Sequence, residues 1–198
     1  MSIALTQPGS ATVSPAPAGA ASSDNILIAR IASGDRLAMQ TLFARHRVSV
    51  YRWIVRIVRD EALAEDLLSE VFLDVWRQSA KFEARSSVST WLLAIARHKA
   101  LSAQRRRADL ELDEEAVATI ADPSDDPEQV LQKKDEGQLI RRALAKLTPQ
   151  HSEIIDLVYY YGKSVKEVAE VVGIAEATVK TRMFYARKKL ADIVIGMT

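Results

Sequence analysis

Apolar residues recur every three or four positions along most of the chain, which is the spacing of an amphipathic helix. In residues 61–79, for example, Leu63, Leu67, Val71 and Val75 form one continuous apolar stripe. Between Asp35 and Asp122 the sequence contains no glycine or proline that would interrupt a helix. The pattern therefore predicts helices near residues 24–33, 35–58, 60–80 and 87–107, with a loop over residues 82–87.

The C-terminal part has the same spacing, but turn signals divide it more clearly. Pro149 opens a helix that ends near Gly162, after another helix near residues 131–146. Ser164 and Glu167 have the spacing of a capping box for a short helix that ends at Gly173, and a last helix covers about 176–193. No segment shows sustained strand alternation, so the predicted fold class is all-α.

Two unusual segments divide the chain. Residues 1–23 carry no charged side chain and three of the six prolines, which favours a disordered tail over a secretory signal. Residues 108–130 carry two prolines and nine acids within 108–128, which is typical of a flexible acidic linker. We therefore predict two small helical domains, at residues 24–107 and 131–198.

Composition excludes several classes of function. The 198 residues include no cysteine, so disulfides and thiolate zinc sites are excluded and a reducing cytoplasm is favoured. No metal-spacing motif, P-loop, dinucleotide fingerprint or paired His/carboxylate motif is present, so we expect no metal, no cofactor, no catalytic residues and no enzyme. No apolar run approaches the roughly 18 residues that span a bilayer, so we expect no membrane insertion.

Charge is distributed unevenly behind a net value of +1. Residues 97–107 and residues 177–190 each carry five Lys/Arg and no acid, and the acidic linker lies between them. Two separate basic patches indicate two contacts with a polyanion.

The last helix has the pattern of a DNA-recognition helix. One stripe, formed by Val179, Met183, Ala186 and Leu190, should be buried. The opposite face mixes hydrogen-bonding, apolar and cationic side chains, which suits base edges flanked by phosphates. The alternative is a solvated basic helix that binds no DNA. The phenyl ring of Phe184 could touch a thymine methyl group or pack on a neighbouring helix. The residues of this face are Thr178, Lys180, Thr181, Arg182, Phe184, Tyr185 and Lys188.

Two surfaces of the first domain are candidates for binding. Asp66, Ser69, Glu70 and Asp74 lie off the apolar stripe of their helix, where they form either a solvated face or a contact for a basic protein. The second surface is on the helix near 87–107, which Ser89 or Thr90 would cap if it starts late. Its packing face consists of Trp91, Leu92, Ile95 and Leu101. The tryptophan could also stack on a base. Five cations could follow the backbone of single-stranded nucleic acid: Arg97, Lys99, Arg105, Arg106 and Arg107.

The order of these parts resembles the extracytoplasmic-function (ECF) sigma factors of bacterial RNA polymerase, over about residues 25–195. AEDLLSEVFLDVWR resembles their polymerase-binding motif, and FEARSSVSTWLLAIARHKALSAQRRR resembles their promoter-melting segment. The sequence from residue 143 to residue 190 resembles their domain that reads the −35 element. Any one motif is moderately specific, and the three in this order are highly specific.

The resemblance implies a role for each surface. Core RNA polymerase would be bound by Asp66, Ser69, Glu70 and the neighbouring Asp74. At the position of Ser69 the family usually has glutamine. The predicted recognition face would read the −35 element of promoter DNA. The loop and the following helix would capture an unstacked −10 base through Ser86, Ser87, Trp91, Arg97, His98, Arg105 and Arg106.

The function implied is promoter-specific transcription initiation, in a stress response and under an anti-sigma factor. The acidic linker would be either a plain tether or a segment that enters the polymerase cleft. Two other functions compete: a dimeric helix-turn-helix regulator, and a sigma-like decoy that binds an anti-sigma protein. The regulator would bind duplex DNA by itself, and the decoy would not need a basic recognition helix.

Overall fold

A computed structural model describes the backbone of residues 18–113, 144 and 146–195, and the side chains of residues 24–109, 144 and 146–193. Within these ranges the chain forms helices and turns and no strand, which confirms the all-α fold class. Most of the predicted tail, the linker beyond residue 113 and nearly all of the helix expected near 131–146 lie outside the described residues. The division into two domains stays a prediction.

Four helices form the N-terminal half: α1 Ala18–Ala32, α2 Arg36–Val58, α3 Glu61–Gln78 and α4 Val88–Asp113. A single turn of 3₁₀-helix, Ser79–Lys81, follows α3 and leads into the predicted loop. The start of α1 and the end of α4 differ from the prediction. Helix α1 begins six residues before the expected start at residue 24, and α4 continues six residues past the expected end at residue 107. Neither extension contains a proline, the residue that most strongly interrupts a helix.

Local capping explains where these helices begin. Asp35 accepts hydrogen bonds from the backbone N–H groups of Leu37 and Ala38, and Asp60 accepts one from the backbone N–H of Leu63. Helix α4 starts at Val88, and its cap is Ser87 rather than Ser89 or Thr90. The Ser87 Oγ lies 3.3 Å from the backbone nitrogen of Thr90.

The C-terminal half contains α5 Pro149–Ile155, α6 Val165–Val172 and α7 Glu176–Ile195. Thr148 caps α5, the capping box of Ser164 and Glu167 forms as predicted, and Gly173 ends α6 with a left-handed φ of 74°.

The helix expected to end near Gly162 changes its geometry along the way. It is α-helical over Pro149–Ile155 and continues as a wider, π-type helix over Asp156–Tyr160, two residues before Gly162. Asp156 is buried in that turn and pairs with Arg56 of α2, so a tertiary contact accompanies the departure from α-helical geometry.

The two halves share one apolar core. It contains Trp53 of α2, Leu67 and Val71 of α3, and Leu92 of α4, together with side chains of the C-terminal half. The contributors from that half are Ile154, Leu157, Val168, Val171, Val172 and Val179.

A smaller apolar cluster joins α5 and α7 through Leu147, Ile155 and Ala186. In the part of the chain that the structure describes, no helix is both long enough and apolar enough to cross a membrane.

Candidate nucleic-acid and polymerase interfaces

The acidic surface of α3 is largely open to solvent. Asp66, Ser69 and Glu70 are exposed, and Asp74 is half-buried beside them. The Ser69 hydroxyl donates to the backbone carbonyl of Glu65, one turn earlier, at 3.2 Å. The carboxylates of α3 therefore stand on a rigid helix whose opposite side lies in the core.

Two of these four residues already have a partner in α4. The Lys99 ammonium lies 3.1 Å from the Glu70 carboxylate and 2.9 Å from the Asp74 carboxylate. Burial alone would lower the pKa of Lys99, but hydrogen bonds to Asp74 and Glu70 outweigh it and hold that pKa above its usual value. Lys99, predicted to be one of the phosphate-binding cations, therefore forms ion pairs with α3 instead.

The loop before α4 is held by an aromatic contact. Phe82 packs against Trp91 with ring centroids 4.9 Å apart, and both rings are only half-buried. Ala84 adopts a left-handed φ of 51°, which is uncommon for a residue other than glycine. Trp91 therefore supports the loop while part of its ring stays accessible, so its two predicted roles are compatible.

The packing face of α4 differs from the predicted one. Leu92 is buried as expected, but Trp91, Ile95 and Leu101 are only half-buried. The buried apolar positions are Val88, Leu92, Leu93, Ala96, Ala100 and Ala103. Four of these are alanine or valine, whose small side chains let α4 pack closely against α2 and α3.

The start of α4 contacts the C-terminal half. The Ser87 and Thr90 hydroxyls donate to Glu167 Oε1 at 2.9 and 2.7 Å. Lys163 Nζ donates to Ser89 Oγ at 2.6 Å and to Thr90 Oγ1 at 3.0 Å. Ser87, one of the predicted −10 residues, is therefore hydrogen-bonded to α6, and Lys163, two residues before that helix, contacts the neighbouring Ser89 and Thr90.

Glu167 serves two helix starts at once. Its second carboxylate oxygen accepts a hydrogen bond from the backbone N–H of Ser164, which completes the capping box of α6. Burial raises the pKa of Glu167, but hydrogen bonds from Thr90 and Ser164 and the charge of Lys163 outweigh it and bring the value to about 2. Burial lowers the pKa of Lys163, and Glu167 opposes that change.

The remaining predicted −10 residues differ in their exposure and partners. Arg97 is half-buried, and its guanidinium pairs with Glu153 of α5 at 2.5 Å and 3.2 Å. His98, Arg105 and Arg106 are exposed, and Ser86 is half-buried in the loop.

The apolar stripe of α7 is buried as predicted. Val179 and Ala186 are fully buried, and Met183 and Leu190 pack beside them. Lys180, Thr181 and Lys188 are exposed, whereas Thr178 and Arg182 are half-buried.

The aromatic pair on this face points outward. Phe184 is 64% exposed and Tyr185 is 54% exposed, with their rings edge to face at 5.5 Å. Phe184 therefore does not pack into a neighbouring helix, which leaves it available for an apolar contact such as a thymine methyl group.

Sequence reasoning missed the acidic and basic residues that join the two halves. Glu153, Asp156, Lys163 and Glu167 belong to helices or turns that were correctly predicted, yet their partners lie far along the chain. The only local signal was the capping box, which singled out Glu167 for another role. In the described ranges no group of His, Cys, Asp or Glu side chains is arranged to hold a metal ion.

Comparison with known families agrees with this arrangement of surfaces. Residues 42–109 match Sigma-70 region 2, which here covers most of α2, all of α3, the loop and most of α4. Residues 137–190 match Sigma-70 region 4, which includes α5, α6 and most of α7. The chain is 33% identical to the RNA polymerase sigma factor CarQ of Myxococcus xanthus, over 83% of this chain and 93% of that protein. It is 31% identical to the ECF RNA polymerase sigma factor SigL of Mycobacterium tuberculosis, over 80% of this chain and 90% of SigL.

The chain belongs to the ECF RNA polymerase sigma factors. A sigma factor binds core RNA polymerase and directs transcription initiation at promoter DNA, so the protein is a DNA-binding regulator.

Two solved structures extend the likeness to the fold. CnrH in complex with the cytosolic domain of CnrY superposes with a TM-score of 0.63 and 26% identity, over 89% of this chain and 99% of CnrH. RpoE in complex with the anti-sigma factor NepR, from Bartonella quintana, gives a TM-score of 0.65 and 25% identity, over 78% of this chain and 95% of RpoE. The roles of individual residues in this sigma factor stay predictions.

Proposed function

We propose that this sigma factor divides its work among three surfaces. The acidic face of α3, with the exposed Asp66 at its N-terminal end, docks on core RNA polymerase. The loop before α4, with the exposed cations of α4, holds the −10 strand. Helix α7 reads the −35 element through Thr181 and Tyr185.

The observation that carries this proposal is the two-sided character of α7. Its apolar stripe is buried at Val179 and Ala186, while Thr181, Phe184 and Tyr185 face solvent. A helix with hydrogen-bonding and apolar groups outward, and with Lys and Arg beside them, has what base edges and phosphates require in the major groove. A decoy that never contacts DNA would not need such a face.

Single-stranded −10 DNA suits the region around the loop. Phe82 and the partly accessible Trp91 provide aromatic surface, and Arg105 and Arg106 extend a cationic track along α4. Extruding a base costs a few kcal/mol, so the binding energy must come from the complete polymerase complex rather than from this small surface alone.

We also infer control by an anti-sigma factor and a site of action in the cytoplasm, where promoter DNA and polymerase are found. RpoE, whose fold this chain shares, was solved bound to the anti-sigma factor NepR. The closely packed halves of the present chain offer such a protein a joint surface made from both.

Core binding is tested by reversing one charge on α3. Asp66→Lys should weaken the affinity of the full-length protein for purified core RNA polymerase at least tenfold, roughly 1.4 kcal/mol, because an acid facing a basic surface becomes a repulsive cation. Fluorescence anisotropy of labelled protein titrated with core measures the effect. Glu170→Lys, an exposed acid of α6, makes the same change in charge elsewhere and should leave affinity unchanged.

Equal affinities for the two variants would remove the assignment of α3. If the unmodified protein instead bound a specific duplex without core, with a steep salt dependence, the helix-turn-helix regulator would be the better account.

A further inference from the structure

The backbone at Arg59 suits glycine better than arginine. Arg59 closes α2 with a left-handed φ of 55° and a ψ of 32°, and its backbone N–H donates to the Val55 carbonyl at 2.7 Å. A Cβ atom makes this conformation costly, so helices that end in this way most often carry glycine at the position. The chain itself places Gly173 at the corresponding position after α6. The backbone alone therefore does not account for an arginine after α2.

No ion pair accounts for this arginine either. The side chain of Arg59 is exposed, and in the part of the chain that the structure describes no carboxylate lies within ion-pair distance of it. Three other arginines on the same side of α2 each contact a partner, namely Asp24 for Arg45, the Tyr160 hydroxyl for Arg52 and Asp156 for Arg56. The guanidinium of Arg59 is thus open to an anion from outside the chain.

Helix α4 fixes the turn that carries Arg59. The Gln104 side-chain amide donates to the Ile57 carbonyl at 2.5 Å, and Arg107 Nη1 donates to Asp60 Oδ2 at 3.1 Å. The chain is therefore held to the end of α4 on both sides of Arg59. Asp60 is occupied twice, because its other carboxylate oxygen accepts the backbone N–H of Leu63 at 3.0 Å.

The turn and the end of α4 form one cationic corner. Arg105 and Arg106 are exposed beside the two residues of α4 that contact the turn, and Arg59 adds a third exposed guanidinium. Glu61 and Asp109 are the exposed acids nearest in sequence. The corner therefore suits one or two phosphates rather than a broad polyanionic surface.

We propose that Arg59 binds a backbone phosphate of promoter DNA, an inference that rests on the proposed −10 role of α4. The left-handed turn between α2 and α3 carries the guanidinium to the end of the cationic track of α4 and lengthens that track beyond the helix. A phosphate contact carries no sequence information, but it fixes the register of the protein on the duplex.

The length of α4 indicates which phosphate is bound. From Val88 to Arg107 the helix rises about 28 Å. DNA that follows α4 from the loop, where the −10 base is held, covers this distance in about eight base pairs, at 3.4 Å for each. Arg59 therefore meets the duplex that flanks the −10 element and not the unstacked base.

Replacement by glycine tests the inference, because stability and DNA binding should respond differently. Arg59→Gly relieves the left-handed backbone and should leave the urea midpoint of unfolding unchanged or raise it. In the holoenzyme, on duplex DNA from upstream of the protein's own gene, it should reduce the slope of log K against log salt by about 0.9, which corresponds to about eightfold weaker binding at 0.1 M salt. Fluorescence anisotropy at several salt concentrations measures the slope.

Three further variants separate charge from backbone. Arg59→Lys keeps the charge and should keep the slope of the unmodified protein. Arg59→Asn removes the charge at a residue that tolerates the left-handed region, and it should match Arg59→Gly. Arg47→Gln removes an exposed cation from the opposite side of α2 and should leave the slope unchanged.

An unchanged slope for Arg59→Gly and Arg59→Asn would overturn the inference. If in addition their urea midpoints fell, the arginine would serve α2 itself, although Arg56 already supplies a cation to the last turn of that helix.

Neutral linkages in the DNA locate the contact. A methylphosphonate removes the charge of one phosphate, and a scan of single linkages should find one that weakens binding by the unmodified holoenzyme but not by the Arg59→Gly holoenzyme. We expect it about eight base pairs from the captured base. The absence of such a linkage would contradict the assignment.

Transcription by the same complexes separates this inference from the proposed function. If the unmodified chain and core polymerase form no promoter complex and start no transcript, the proposed function fails. If they initiate, but Arg59→Gly has the salt slope of the unmodified protein, only the phosphate contact is refuted.

Discussion

Lys99 shows how much one side chain's partners decide its role. It lies in the basic segment of α4, yet its ammonium sits between Glu70 and Asp74 of α3. It therefore neutralises part of the surface proposed for polymerase and orients two of the four predicted contact residues.

Replacing Lys99 tests this assignment. Lys99→Met should lower the free energy of unfolding by about 1 kcal/mol, since it leaves two partly exposed carboxylates unpaired. It should leave the salt dependence of promoter binding by the holoenzyme unchanged. Arg106→Met is the matched comparison: it should reduce the slope of log K against log salt by roughly 0.7–0.9, the contribution of one phosphate contact. Urea unfolding and binding titrations at several salt concentrations measure both, and a reduced slope for Lys99→Met would contradict the pairing.

Residues whose role is local were predictable from sequence. Ser164 and Glu167 form their capping box as expected, because a cap depends on neighbours within one turn. Ser87 was missed as the cap of α4, because Ser87, Ser89 and Thr90 are three candidates within four positions. Only the backbone path of the preceding loop, held by Phe82 and Trp91, selects among them.

At the scale of elements, α7 followed its sequence pattern more closely than α4 did. The stripe of Val179, Met183, Ala186 and Leu190 was recognisable because large apolar residues alternate with charges. In α4 the buried face includes Ala96, Ala100 and Ala103. Alanine occurs on both exposed and buried faces of helices, so its position does not mark the buried side. The true packing side of α4 was therefore hidden from a pattern of large apolar residues.

The recognition role of α7 predicts two different responses to alanine. Thr181→Ala and Tyr185→Ala should reduce discrimination between −35 sequences, each lost base contact being worth roughly 1–3 kcal/mol. Lys180→Ala, a flanking cation, should instead weaken binding about equally for all sequences. Competition between promoter variants for the holoenzyme measures the difference. Uniform weakening by Thr181→Ala and Tyr185→Ala would count against base reading by α7.

At the scale of the whole molecule, the contact between the halves was the largest feature that the sequence did not predict. Each half was recognisable by itself, but the linker predicted over residues 108–130 gives no information about how the halves are oriented. The ion pairs Arg97–Glu153 and Arg56–Asp156 join residues 56 and 100 positions apart. Pairing over such separations depends on the packing of α6 on α4, which periodicity within a single helix does not contain.

This contact predicts a pH dependence of stability. Burial raises the pKa of Asp156 from 3.8 to about 6, although the Arg56 guanidinium opposes the rise. Between these values the folded protein binds more protons at Asp156 than the unfolded chain does. The contribution of this site to the free energy of unfolding therefore falls as pH rises from about 4 to about 6.

Glu167 has the opposite effect, and at lower pH. Its pKa is lowered from 4.5 to about 2 in the folded protein, so its contribution to stability is present above pH 4.5 and is lost as the pH falls toward about 2.

Asp156→Asn isolates the buried carboxyl. The variant should lose the decline in stability between about pH 4 and 6, because the amide does not titrate. Urea unfolding at several pH values measures the slope, and Asp192→Asn, an exposed acid of α7, is the control that should keep the slope of the unmodified protein. Parallel profiles for all three proteins would show that Asp156 does not titrate in this range.

The central claim is that this chain directs initiation by core RNA polymerase, and run-off transcription tests it most directly. The template is DNA from upstream of the protein's own gene, and the components are purified core polymerase with and without the full-length chain. We expect a discrete transcript that appears only when the chain is present and that Asp66→Lys greatly reduces while Glu170→Lys does not. No transcript above that of core polymerase alone would contradict the account.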